Sequence, residues 1–276
     1  MQWVRIGAFA WLLVLAPTAV AEAQASTDSA PPPPSPAFSW PEVKGFSATF
    51  ALGGLAYLAD QGARDAVRAS GPQGSAALDG LTAYGNAFGQ PGVVVAGVLL
   101  YGGGLVAKRP VVASTGFRAL EAIAVSGVVT SGLKGILGRA RPAVAPDAPD
   151  DWQFARGMRV KGGDYQSMPS GHSTAAFAFA TAVTLDVRRR APQHARWVGA
   201  LSYASALSTA YARMHDDRHW LSDVTVGAGI GIVTAMAIDR WHATRRDDPI
   251  DGFFLRPLIA ASPHGGAMLG VSIHTR

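Results

Sequence analysis

Three short segments of the chain carry residues suited to one kind of chemistry. Lys134 is followed after six residues by Arg141-Pro142. Pro169-Ser170-Gly171-His172 comes next. Arg213, His219 and Asp223 come last, with five and then three residues between them. Together they supply three fixed cations, a Ser-Gly turn and two histidines, one of them four residues ahead of a carboxylate. A phosphoryl group in transfer needs charge stabilisation on three equatorial oxygens, an in-line nucleophile and an acid for the leaving oxygen. The three segments cover each of these needs without calling on a metal.

Lys134 and Arg141 lie close to two helical turns apart, so a helix would point both cations the same way. Pro142 would end that helix and turn the chain outward. On their own the two cations would make a basic helix end; the nearby Lys108 and Arg139 could contribute to the same set, although most such residues are solvated or interfacial. Pro169 to His172 precedes a helical run, Ser173 to Asp186, and reads as a turn entering a helix. Backbone N–H groups at such a start form an anion site. Ser170 adds a hydroxyl donor, Gly171 lets the backbone approach closely, and His172 can reach a leaving oxygen and protonate it. Alone, the tetrapeptide would equally be a capping turn with an incidental histidine. His219 and Asp223 can share a helix face. A carboxylate accepting one ring N–H fixes the tautomer and frees the other nitrogen to attack. Arg213 adds a planar fork for two phosphate oxygens. An ordinary helix pair has the same spacing. His215, Asp216 and Asp217 could enter a metal site, but hard cations want more converging carboxylates.

In this order the three segments resemble the signature of the type 2 phosphatidic acid phosphatase family, which also includes bacterial class A acid phosphatases and vanadium haloperoxidases. The family pattern is Lys-x6-Arg-Pro, then Pro-Ser-Gly-His, then Ser-Arg-x5-His-x3-Asp. Residues 134–223 depart from it at one position, Ala212, where the family has serine. The resemblance implies an all-α, six-helix bundle and a phosphatase that uses no metal or other cofactor. It implies that His219 attacks phosphorus to form a phosphohistidine, that Asp223 orients it, and that His172 protonates the leaving alcohol and then activates water. Lys134, Arg141 and Arg213 would bind the phosphate oxygens, assisted by Ser170 and Gly171. A serine hydrogen bond near the phosphate is lost at Ala212, while the nucleophile and the cations are kept.

These residues need elements to position them. The 276-residue chain is 49% hydrophobic and 16% charged, between an ordinary soluble protein and a polytopic membrane protein. Its length allows one domain with a substantial core. The net charge of +5 suits an anionic substrate or membrane surface. No Lys/Arg stripe alternates with aromatics, so nucleic acid is not expected as a partner. The absence of cysteine excludes disulfides, thiolate metal sites and a cysteine lipid anchor. Arg5, the apolar stretch Ile6 to Ala16, and small residues at Ala19-Val20-Ala21 and Ala23-Gln24-Ala25 read as a bacterial secretory signal over 1–25, favoured over an uncleaved anchor because Pro17 would end a spanning helix early, and this predicts export to the periplasmic side of the envelope, in the inner membrane or the periplasm. A Ser/Pro-rich tether follows at 26–41, with Pro31 to Pro34 extended.

Apolar, Ala/Gly-rich stretches over 43–59, 92–107, 115–137, 172–187, 196–212 and 221–240 predict six helices within a helical phosphatase domain at 42–245. Their glycines predict close helix–helix approach. Only Asn86 to Ala107 is free of charge over the length of a membrane span, and it contains Pro91. The balance tips towards membrane association. Ala143 to Gln166 is a polar loop, read either as a lid or substrate-access loop or as a plain surface excursion. The tail, 246–276, has a Gly-rich turn between apolar runs and predicts a short β-hairpin. The expected partner is a phosphorylated lipid or a small phosphate ester; no feature specifies an oligomeric state. Other readings are a soluble periplasmic acid phosphatase of broad range, a vanadate-dependent haloperoxidase using the same pocket, and an envelope protein that binds phosphate without turning it over.

Overall fold

The computed structural model describes residues 36, 38–245, 254, 259–261 and 267–269. The expected signal segment lies outside the described residues, as do most of the tether and much of the tail. The elements are α1 (Trp40–Tyr57), α2 (Asp60–Arg68), α3 (Ser70–Gln73), α4 (Ala76–Ala87), a π-helical turn (Phe88–Gly92), α5 (Val93–Val106), α6 (Pro110–Leu137), α7 (Arg156–Arg159), α8 (Gly171–Arg190), α9 (Pro192–His215) and α10 (Leu221–Ala243). Two short strands, Ile259–Ala261 and Ala267–Leu269, pair antiparallel with Ile259 opposite Leu269.

Each of the six apolar stretches falls on a helix: α1, α5, α6, α8, α9 and α10. The segment between the first two differs from expectation. It is itself helical, as α2, α3 and α4, rather than a polar connection. α2 (DQGARDAVR) has no apolar run to betray it. It is held instead by charge, through Asp60 to Arg139 and through Arg64 and Arg68 to the distant Asp217.

α8 is the central element. Every residue from Ser173 to Val183 is buried, and α6, α9 and α10 pack around it. Its alanines let the neighbours approach, while Phe177 and Phe179 fill the space between, the latter edge-on to Phe88 at 6.2 Å. Buried hydroxyls on this helix bond back into it, as Thr181 Oγ1 does to the Phe177 carbonyl at 2.8 Å. The tightest approach is to α10. A Cβ at Gly227 would stand 2.6 Å from the Ser170 carbonyl oxygen, and one at Gly231 would overlap the Thr174 carbonyl oxygen. These two glycines, four apart, let the helix carrying the third motif lie against the start of the helix that follows the second. Gly54, Gly102 and Gly103 face open space and play no such part.

Three helical stretches are long and apolar enough to cross a membrane: Ala76–Val106, Pro110–Leu137 and Leu221–Ala243. Sequence reading found one such stretch because Glu121 interrupts another. In the fold Glu121 meets His242 of α10 at 2.7 Å, so that carboxylate is hydrogen-bonded inside the bundle. Outward, α5 and α6 expose Val95, Val98, Leu99, Val125, Val128 and Val129. Bare valine and leucine on long helices support membrane association. The first stretch is broken in the middle. Gly89 leaves helical geometry (φ −47°, ψ −155°) and Pro91 removes a donor, which together kink it.

Gly231→Ala should force α8 and α10 apart and lower stability by about 1–3 kcal/mol. Gly54→Ala, on an open helix face, should be neutral or stabilising by up to about 1 kcal/mol. Thermal unfolding of the two variants in detergent checks the contrast.

Candidate active site

The three motifs meet where α6 and α9 end and α8 and α10 begin. Lys134 stands on the last turn of α6, and its Nζ donates to the Gln166 carbonyl at 2.6 Å. The helix stops at Leu137 because Gly138 takes a left-handed conformation (φ +59°). A Cβ there would also overlap the Gln153 carbonyl oxygen, so glycine is required twice over. Arg141 therefore does not share two turns of helix with Lys134, as the spacing had suggested. It lies in the chain beyond, where Nε donates to the Gly163 carbonyl (2.7 Å) and Nη1 to that of Arg218 (3.2 Å).

Ser170 is the N-cap of α8. Its Oγ accepts from Ser173 N (3.4 Å) and Ser173 Oγ (3.1 Å), which leaves its own hydrogen to donate. Its backbone N–H donates to the Asp223 carbonyl at 3.0 Å and ties the second motif to the third. A Cβ on Gly171 would stand 3.7 Å from Lys134 Cε and 3.8 Å from Gln90 Oε1, so the first and second motifs touch. The His172 ring lies over Gly89, where a Cβ would come within 2.8 Å of its Cδ2. The kink in the Ala76–Val106 stretch makes that room.

Arg213 ends α9. Its Nη1 donates to Asn86 Oδ1 at 2.6 Å, and Asn86 in turn donates to Asp216 at 2.7 Å. Its buried Nε has no hydrogen-bond partner among the described residues. His219 precedes α10 rather than riding on it, because the helix begins at Leu221. The shared helix face read from the four-residue spacing is thus replaced by a loop-to-helix contact. Asp223, in the first turn, accepts from Trp220 N at 2.9 Å and stands 3.6 Å from His219 Nδ1. That is ion-pair range, longer than a closed hydrogen bond. Ala212 is fully buried just before Arg213.

Burial is the largest force on His219 and holds it down to about 3; the Lys134 charge adds to it, while Asp223 opposes it. His172 is lowered to about 4 by burial and then by Arg213, Lys134 and Arg141. All three cations thus bear on one imidazole, and both rings are neutral at pH 7. The arrangement can hold a tetrahedral anion among three cations and present a neutral imidazole to it. His215, Asp216 and Asp217 have scaffold work instead: His215 packs on Tyr211, Asp216 takes Asn86, and Asp217 takes Arg64 and Arg68.

The residue misjudged from sequence is Arg139. It is fully buried and is not an interfacial cation. Nη1 donates to Asp223 Oδ1 and to Ser222 Oγ, both at 2.7 Å. Nη2 donates to Asp60 Oδ2 at 2.6 Å, and Nε and Nη2 both donate to the Pro149 carbonyl. Trp152, Tyr57 and Trp220 surround the guanidinium at 4.7, 5.2 and 5.5 Å. Asp60 also accepts from Ser222 N and Oγ, and Ser167 Oγ donates to Asp223 Oδ2 at 2.5 Å. Asp60, Asn86, Gly89 and Ser167 escaped sequence reading. Asp60 and Gly89 could have been signalled only by a lone acid after an apolar stretch and by a Gly-x-Pro break inside one.

Arg139→Gln leaves two buried carboxylates without their shared cation and should cost about 3–5 kcal/mol. Ser167→Ala removes one hydrogen bond to a charged group and should cost about 1.5–3 kcal/mol. Denaturation of both variants in detergent gives the comparison.

The PAP2 superfamily model matches residues 115–247. A stretch of 82 residues is 39% identical to the lipid A 1-phosphatase of Porphyromonas gingivalis; it covers 30% of this chain and 17% of that protein's length. The fold is similar to the crystal structure of a transmembrane PAP2-type phosphatidylglycerolphosphate phosphatase from Bacillus subtilis. The TM-score is 0.54 at 18% identity, covering 72% of this chain and 94% of that one. All three motifs lie inside residues 115–247, the part of the chain that matches the PAP2 superfamily.

Proposed function

We propose that the protein is a metal-independent phosphatase of lipid phosphates or diphosphates, working through a phosphohistidine at the periplasmic side of the membrane. The observation that carries the reading is the gathering of Lys134, Arg141 and Arg213 around two neutral imidazoles, one of which stands beside a buried carboxylate. Similarity over 82 residues to a lipid A 1-phosphatase supports it. Apolar helices that would keep the site at a bilayer favour lipids over soluble esters. The secretory-type N-terminus is the ground for the periplasmic side.

In this mechanism the three cations and the N–H groups opening α8 hold the non-bridging oxygens. Asp223, 3.6 Å away in the free protein, closes to accept a hydrogen bond from the His219 Nδ1–H and leaves Nε2 to attack phosphorus. Burial first, and then the three cations, keep His172 unprotonated; the bound anion offsets the cations' share, so the ring's proton affinity rises and it takes up the proton carried by the phosphate monoanion. His172 then gives a proton to the departing alcohol oxygen, and the phosphoryl group stays on His219. In the second half His172 takes a proton from water, whose oxygen displaces the histidine and releases phosphate.

Phosphate release in EDTA is the direct test, on detergent-dispersed phosphatidate, phosphatidylglycerol phosphate and polyprenyl diphosphate beside soluble aryl and sugar phosphates. A lipid preference that vanishes in His219→Ala is expected; full activity in that variant would refute the mechanism, and faster turnover of soluble esters would refute the lipid assignment. His172→Ala should lose about two to four orders of magnitude on an alkyl ester. The loss should be much smaller on p-nitrophenyl phosphate, whose leaving group needs no proton. Steady-state rates on the two substrates read the difference.

A further inference from the structure

The polar loop after α6 is fastened down. Ala140 N donates to the Asp151 carbonyl, Gln153 N to that of Gly138 (3.0 Å), Ala155 N to that of Ile136 (2.7 Å), and the Gln166 amide to that of Gly157 (2.7 Å). It is a fixed wall and not a free flap. Yet on this rigid frame Phe154 stays 81% exposed, and Met158, lying along α6 at Gly135, stays 65% exposed. Large apolar side chains this bare, on a backbone this well tied, mark a contact surface.

Their position says what they contact. On α6, Val125, Val128, Val129 and Ile136 form an exposed apolar stripe at helical spacing along a helix long enough to span. The stripe ends at Ile136, whose carbonyl anchors Ala155, next to Phe154. Met158 Cγ lies 2.8 Å from where Gly135 would carry a Cβ, and Tyr57, at the end of α1, meets Trp152 at 6.3 Å. The loop's apolar tip therefore continues the face that α6 turns away from the bundle. Exposed Arg159 and Lys161 follow it, placed for anionic headgroups. Behind the same loop is the site, since Gly157 packs on the Lys134 carbonyl.

We propose that residues 152–161 lie in the membrane interface, with Phe154 and Met158 among the acyl chains and Arg159 and Lys161 at lipid phosphates. The loop is then the shore along which an anionic lipid reaches Lys134 without crossing water. This last step rests on the phosphatase reading; the membrane contact does not.

The chain has no cysteine, so Phe154→Cys, Met158→Cys and Asp147→Cys each accept one environment-sensitive fluorophore. In phosphatidylcholine/phosphatidylglycerol vesicles, labels at 154 and 158 should be quenched by acyl-chain nitroxides and shielded from iodide, and the label at 147 should behave oppositely. Iodide access at 154 and 158, or shielding from both quenchers as under a second protein copy, would overturn the proposal. Replacing Phe154 and Met158 together by serine should lower kcat/KM on vesicle-borne phosphatidate about tenfold and spare p-nitrophenyl phosphate. An equal loss on both substrates, or none on either, would overturn the access role. If the unsubstituted protein hydrolyses neither ester, it is the phosphatase reading that fails, and quenching alone decides the membrane contact.

Discussion

One buried guanidinium holds the site together. Arg139 has no contact with solvent and lies between Asp60 and Asp223. Burying three charges is expensive, and their attraction offsets that only when the geometry is good and the remaining donors and acceptors are filled. Here they are filled by Ser222, Ser167, Trp220 N and the Pro149 carbonyl, with three aromatic rings around the cation. The arrangement joins the start of α2, the start of α10 and the loop after α6 in one unit. Asp223 is placed by this unit before it ever faces His219. The separation of 3.6 Å between that carboxylate and the ring is therefore set by groups remote in sequence.

The rest of the bundle serves the same end by different means. Glycines and alanines let α8 and α10 approach until their backbones nearly touch, which brings the Ser170 N–H onto the Asp223 carbonyl. Gly138 stops α6 just past Lys134, so the chain can fold back and present Arg139 inward. The break at Gly89 and Pro91 opens a seat for the His172 ring, and Asn86 one turn earlier holds Arg213. Charge is thus collected at one end of helices whose flanks are apolar. A site of fixed cations at the end of such helices suits a substrate with an anionic head and an apolar body.

Much of this could be read from the chain. Lys134, Arg141, Ser170, Gly171, His172, Arg213, His219 and Asp223 are singled out by type and spacing, and the structure gathers all eight in one region. The six long helices were visible because apolar runs of that length have few other uses. What stayed hidden was tertiary. α2 is polar, and its reason to be ordered is the pairing of Asp60 and Arg64 with partners far along the chain. Arg139 resembled any other cation near a helix end, since nothing in its neighbours reports a carboxylate 79 or 84 residues away. Local periodicity also misled at two points. Lys134 and Arg141, and His219 and Asp223, were placed on shared helices, whereas a left-handed glycine and a late helix start separate them.

The central claim is that His219 carries the phosphoryl group. Rapid quenching of the wild-type protein during turnover of a 32P-labelled lipid phosphate, followed by peptide mapping under alkaline conditions, tests it most directly. The account predicts an acid-labile, base-stable label on the peptide containing His219. Label on a serine such as Ser170, or undiminished turnover with no trapped phosphoenzyme at any quench time, would contradict it.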